Sequence, residues 1–76
     1  MPTILPFGQI SDLLGPAPLE VPEVPDTDRL RALLHGRYPG LDRLSYVIAV
    51  DKKTIRENTP LHPSSVVALL PPFSGG

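Results

Sequence analysis

The chain has 76 residues, enough for one domain with a small core and limited intrinsic stability. It has no cysteine, so neither disulfides nor thiolate metal sites can staple it, and its 41% apolar content suits a globular fold. Seven basic and eight acidic residues are interspersed to a formal net charge of −1, which leaves no electrostatic footprint of a nucleic-acid partner. No basic leader precedes a long apolar stretch and no apolar run approaches a membrane span, so the expectation is a soluble cytoplasmic protein.

In chain order, Thr3-Ile4-Leu5-Pro6-Phe7 reads as a first strand, with Ile4 and Pro6 on one face and Leu5 and Phe7 on the other. Pro6 is awkward there, since it removes a ladder donor; a bulge or a non-bonded position would accommodate it. Gly8 to Gly15 reads as a short helical turn closed by glycine. Pro16 to Pro18 restart the chain as extended structure. Leu19-Glu20-Val21 alternates as a second strand, placed at an edge by Pro22 and Pro25.

Thr27 is the expected N-cap of the one substantial helix, with Asp28 in its first turn. Leu30, Leu33 and Leu34 fall at i, i+3 and i+4 as one apolar stripe, which Tyr38 can extend, and the stripe should pack on one sheet face. Arg29, Arg31 and Arg37 lie elsewhere around the helix and are expected in solvent. Pro39-Gly40 ends it. Tyr46 to Val50 is β-branched and uninterrupted, the clearest internal strand. Asp51-Lys52-Lys53 is a polar turn, Thr54-Ile55-Arg56 a weak strand, and Asn58-Thr59-Pro60 a further turn with Leu61 as its anchor. His62 to Ser65 form the last turn.

Val66-Val67-Ala68-Leu69-Leu70 reads as a buried strand, after which Pro71-Pro72 must end the pairing. The predicted architecture is α+β: a mixed sheet with one main helix packed on one face, the β-grasp arrangement. Its first and last strands lie parallel and side by side at the centre. Residues 1–70 form the domain and 71–76 a flexible C-terminal arm that can reach about 20 Å. A terminal Gly-Gly alone reads more readily as an ordinary frayed end. The order strand, Pro-Pro, aromatic, small residue, Gly-Gly points instead to an arm that threads a narrow channel, with the α-carboxylate of Gly76 as its working group.

The side chains give little support for catalysis within the domain. His35 sits near the helix end, where the dipole accounts for it, and His62 precedes a proline in a turn. Two isolated histidines make no metal site, and no glycine-rich loop opens a helix to cradle phosphate. By alternation Val67 and Leu69 point inward. Leu5, Phe7, Ala68 and Leu70 form an apolar docking patch beside the arm, the alternative being that some of them pack under loops.

Leu69-Leu70-Pro71-Pro72-Phe73-Ser74-Gly75-Gly76 closely resembles the ending of the small, sulfur-carrier subunit of molybdopterin synthase (MoaD type), in the ubiquitin-like MoaD/ThiS family. Val47 to Val50 with the following polar turn, Thr59-Pro60-Leu61, the opening strand and the helix beginning at Thr27 share the likeness, which spans the chain. The family usually has Asn at the position of Asp51, and an acidic Gly-Asp-Glu turn where this chain has Pro63-Ser64-Ser65. The resemblance implies that an E1-like enzyme adenylates Gly76 with ATP and that a sulfur donor converts the adenylate to a thiocarboxylate. Gly75 and Gly76 are then the reacting end, and Pro71, Pro72, Phe73 and Ser74 the part of the arm that contacts the large synthase subunit. It implies a 2:2 heterotetramer, no tightly bound cofactor, no metal and no catalysis by the chain alone. The rival carriers serve thiamin thiazole or tRNA thiolation, or act as ubiquitin-like modifiers; Lys52 and Lys53 are a scant supply for a polymerising modifier. A rival of another class is a non-covalent module whose Pro-Pro-Phe docks an aromatic groove.

Overall fold

Alternation along the last strand organises the molecule. The computed structural model describes residues 1–16 and 18–72. In β5 (Val66–Leu70) the side chains of Val67 and Leu69 are fully buried, while Ala68 and Leu70 are half-buried on the opposite face. Removing each inward side chain from water is worth about 1.5–3 kcal/mol, which fixes the strand's register because a one-residue slip would expose both.

β5 is the middle of five strands, in the order β2-β1-β5-β3-β4. β1 (Thr3–Pro6) runs parallel to it, from Thr3 opposite Val66 to Pro6 opposite Leu69. β3 (Val47–Val50) runs antiparallel on the other side, from Val47 opposite Leu70 to Val50 opposite Val67. β2 (Leu19–Glu20) and β4 (Lys53–Ile55) are the short antiparallel edges. First and last strands lie side by side and parallel at the centre, as the sequence predicts.

Pro6 fits for a reason the register supplies. Thr3 and Phe7 donate their N–H groups to Ser65 and Leu69 of the β5 side, so alternation turns the Pro6 nitrogen the other way. On that side, among the described residues, β2 pairs with Thr3 and Ile4 alone. The missing donor therefore falls outside the described ladder.

One sheet face is covered by α2 (Thr27–Arg37). Its Leu30 and Leu34 join Ile4, Ile48, Val67 and Leu69 in a single core, with Leu33 and Tyr38 packed half-buried against it. α1 (Gln9–Leu14) closes one end through Ile10 and Leu14, ending at Gly15 with φ 101°. A 3₁₀ turn at Pro39–Arg43, which the sequence does not announce, buries Leu41 completely. This is an α+β ubiquitin-like β-grasp, with one main helix on one face of a mixed sheet.

Five local expectations need correction, the first being β2, which ends at Glu20, with Val21 buried and donating its N–H to the Pro2 carbonyl. The N-cap of α2 is Asp26, whose Oδ1 accepts from the Arg29 N–H at 2.9 Å. Thr27 is instead buried: its hydroxyl accepts the Thr59 N–H at 2.9 Å and reaches Asn58, and its own N–H donates to Thr59. Those bonds lash the helix start to the 58–59 loop and take the hydroxyl away from capping. β1 ends at Pro6 because the Phe7 carbonyl accepts from Ile10 as α1 begins. β3 starts at Val47, the Tyr46 side chain being engaged with α2. β4 begins one residue early, at Lys53, since the hairpin turn needs only Asp51 and Lys52, with φ 49° and 73°.

Candidate functional site

The chain leaves the sheet at Leu70, and Pro71 is seated at once against the first loop. A Cβ built on Gly8 would lie 3.2 Å from Pro71 Cγ, so the ring occupies the space that a side chain would fill. Gly8 has φ 58° and ψ −137°, a conformation open in practice to glycine alone. The sequence reading treats Gly8 only as the start of a helical turn; its role beneath Pro71 depends on a contact between the two ends of the chain. Pro72 is exposed. Phe73, Ser74, Gly75 and Gly76, which the sequence reading makes the rest of the arm, lie outside the described residues.

The sheet face opposite α2 carries the proposed docking patch, and the structure divides it. Leu5 and Ala68 are register partners and, with Val66, Asp51 and Lys52, line an apolar cleft of 290 Å³. Val66 is 39% exposed, a residue the sequence reading leaves out of the patch. Phe7 is 45% exposed one step past the last β1–β5 pair and lines neither cleft. Leu70 turns to a second cleft, shared with Pro72.

The turns at the start of β5 are well tied. Asp51 exchanges two bonds with Val66: its N–H donates to the Val66 carbonyl at 2.8 Å, and its Oδ1 accepts the Val66 N–H at 2.9 Å. Aspartate tolerates the left-handed backbone found here. Ser65 is buried, accepts the His62 N–H on its hydroxyl at 2.8 Å, and donates its own N–H to the His62 carbonyl. The Pro63-Ser64-Ser65 turn thus closes on itself without acidic residues.

The second cleft, 380 Å³, lies where β3, β4 and the end of β5 meet. Arg31, Tyr46 and Arg56 line it together with apolar side chains. His35 Nε2 and the Tyr46 hydroxyl are 2.8 Å apart, and His35 Nδ1 pairs with Asp42. The Arg31 guanidinium carbon stands 5.8 Å from the Tyr46 ring centroid, within cation–π range. Burial lifts the Tyr46 phenol above its ordinary value of 10.0; Arg31 opposes the shift and Asp42 adds to it. Of these residues the sequence reading singles out only His35, and assigns it to the helix dipole; the ring in fact has two side-chain partners. A histidine one turn from a helix end, followed by aspartate and tyrosine, is a weak signal, because chain reversal brings the three together.

A mixed five-stranded sheet of this order with one main helix on one face defines a class: the ubiquitin-like β-grasp proteins. The profile of the ThiS family matches residues 4–76, and the chain belongs to that family. It is a ubiquitin-like sulfur-carrier protein, set in a sulfur-transfer enzyme system. No helix among the described residues is long and apolar enough to cross a membrane.

Proposed function

We propose that this carrier supplies sulfur for molybdopterin, the organic part of the molybdenum cofactor, through its C-terminal Gly76. The observation that carries the reading is the exit of β5. The most enclosed strand of the sheet ends at Leu70 and hands the chain to a proline seated on Gly8, so residues 71–76 start from a fixed point and direction. The Pro-Pro-aromatic-small-Gly-Gly order resembles the molybdopterin synthase small subunit, and the other carriers of the same fold are not expected to show it.

The chemistry follows from the reactivity of a carboxylate. Unactivated, Gly76 is a poor electrophile. Adenylation with ATP by an E1-like enzyme provides a leaving group, and displacement of AMP by a sulfur donor leaves a thiocarboxylate, a strong sulfur nucleophile. Gly75 and Gly76 lack Cβ atoms, which suits passage into a narrow active site in the large synthase subunit. There the sulfur is delivered to a cyclic pyranopterin precursor. Leu5, Phe7, Ala68 and Leu70 serve as docking surface beside the arm, and Pro71 through Ser74 as its contact with the large subunit in a 2:2 assembly. The setting is cytoplasmic.

The test is the intact mass of the chain after incubation with its activating enzyme, ATP and sulfur donor. We expect one oxygen exchanged for sulfur, localised to Gly76, and conversion of the pyranopterin by that species with the large subunit. Deletion of Gly76 should abolish transfer with the thermal midpoint unchanged. A thiocarboxylate that sulfurates only a thiazole precursor would overturn the molybdopterin assignment in favour of thiamin, the second reading that family membership supports.

A further inference from the structure

We propose that the cleft at the β3–β4 side of the sheet receives an acidic–aliphatic segment of a protein partner. This is independent of the reaction at Gly76. Arg31 reaches the cleft from α2 and Arg56 from the residue after β4, so two cations from different elements face one opening. Among the described residues neither has an ion-pair partner, the one ion pair there being His35–Asp42.

The Arg31 side is organised in advance. Asp42 holds His35, His35 holds the Tyr46 hydroxyl, and the Tyr46 ring lies under the Arg31 guanidinium at 5.8 Å. A guanidinium already placed loses less rotamer freedom when it meets a carboxylate. Ile55, Leu70 and Pro72 give the cleft an apolar wall, which a simple anion would leave unused.

The lining selects the occupant: carboxylates suit Arg31 and Arg56, and aliphatic side chains suit Ile55, Leu70 and Pro72. Among the described residues no glycine lines the cleft and no helix begins at it, so they build no N–H cradle of the kind a phosphate calls for.

The experiment titrates the ¹⁵N-labelled full chain at low salt with a synthetic peptide alternating Glu with Val or Leu. Parallel titrations use a Lys-for-Glu peptide, a Ser-for-aliphatic peptide, inorganic phosphate and AMP. We expect amide shifts at Arg31, Tyr46, Lys53–Arg56 and Leu70, sparing Leu5 and Ala68, and only for the acidic–aliphatic peptide. Arg31→Gln and Arg56→Gln should each weaken binding about three- to fivefold, a loss that shrinks with added salt, whereas Arg37→Gln should not. Equal loss with Arg37→Gln would reduce the effect to net charge and overturn the proposal. So would shifts centred on Lys52, equal binding of phosphate or AMP, or no shifts up to the peptide's solubility. Deleting Gly75 and Gly76 should leave the titration unchanged, so failure of the carrier chemistry and failure of this site are read separately.

Discussion

The two sides of β5 carry nearly the same composition and opposite fates. Val67 and Leu69 are sealed beneath α2, whereas Ala68 and Leu70 stand on a face that no element among the described residues covers. Hydrophobicity alone therefore does not locate the core of so small a domain; the single helix decides which alternate residues become core and which remain available to a partner. The difference also assigns risk. Substitutions on the covered side should act on folding, and those on the open side on association.

The sharpest way to break that comparison is Leu69→Ala against Leu70→Ala. The first should cost about 2–5 kcal/mol, lowering the thermal midpoint by roughly 10 °C or more, and the second about 1 kcal/mol or less. Equal losses in thermal melts would mean that the open face is as structural as the covered one. Next in size is Gly8→Ala, which must strain a backbone at φ 58° and displace Pro71 from a 3.2 Å approach; we expect a loss of about 1–3 kcal/mol. Gly36→Ala is its counterpart, in α2 with nothing within 4 Å of the added methyl, and should instead stabilise by about 0.5–1 kcal/mol. If both glycines respond alike, the seat of Pro71 on Gly8 is not a structural constraint.

The smallest effect belongs to the seam between helix and sheet, at Tyr46. Its phenol is raised above 10.0 by burial, so the folded state holds its proton to higher pH than the unfolded chain. That contribution to stability is complete below about pH 10 and declines as pH rises from there through the folded value. Tyr46→Phe should flatten the alkaline limb of midpoint against pH above about 10, and an unchanged limb would remove Tyr46 as its source.

What the sequence made legible follows from the range of the forces involved. β5, β1 and the Leu30–Leu34 stripe rest on short-range alternation and periodicity, and each was readable. So was Leu61 as an anchor, because a lone leucine between turn residues has few other uses. The cap was not: Asp26, Thr27 and Asp28 can all cap, and bonds from Thr27 to Asn58 and Thr59, distant in the chain, settle the choice. Leu41 escaped for a related reason, since its burial is imposed by α1 and α2 rather than by a periodic pattern of its own. At the candidate site the prolines after β5 were evident, whereas Gly8 under Pro71 and Arg31 over Tyr46 are contacts that only the closed fold creates.

The proline in β1 has a consequence for the molecule among its own copies. Among the described residues β2 pairs with Thr3 and Ile4 alone, so beyond them no described strand lies on the outer side of β1. The N–H groups on that margin belong to Ile4, which lies within the β2 pairing, and to the position of Pro6, which has none. An incoming chain would find carbonyls there but no donor with which to start a ladder. Pro6 thus acts as a guard against fibrillar stacking on the strand next to β5, and replacing it with valine would be expected to show its value first in shelf life and solubility at high concentration.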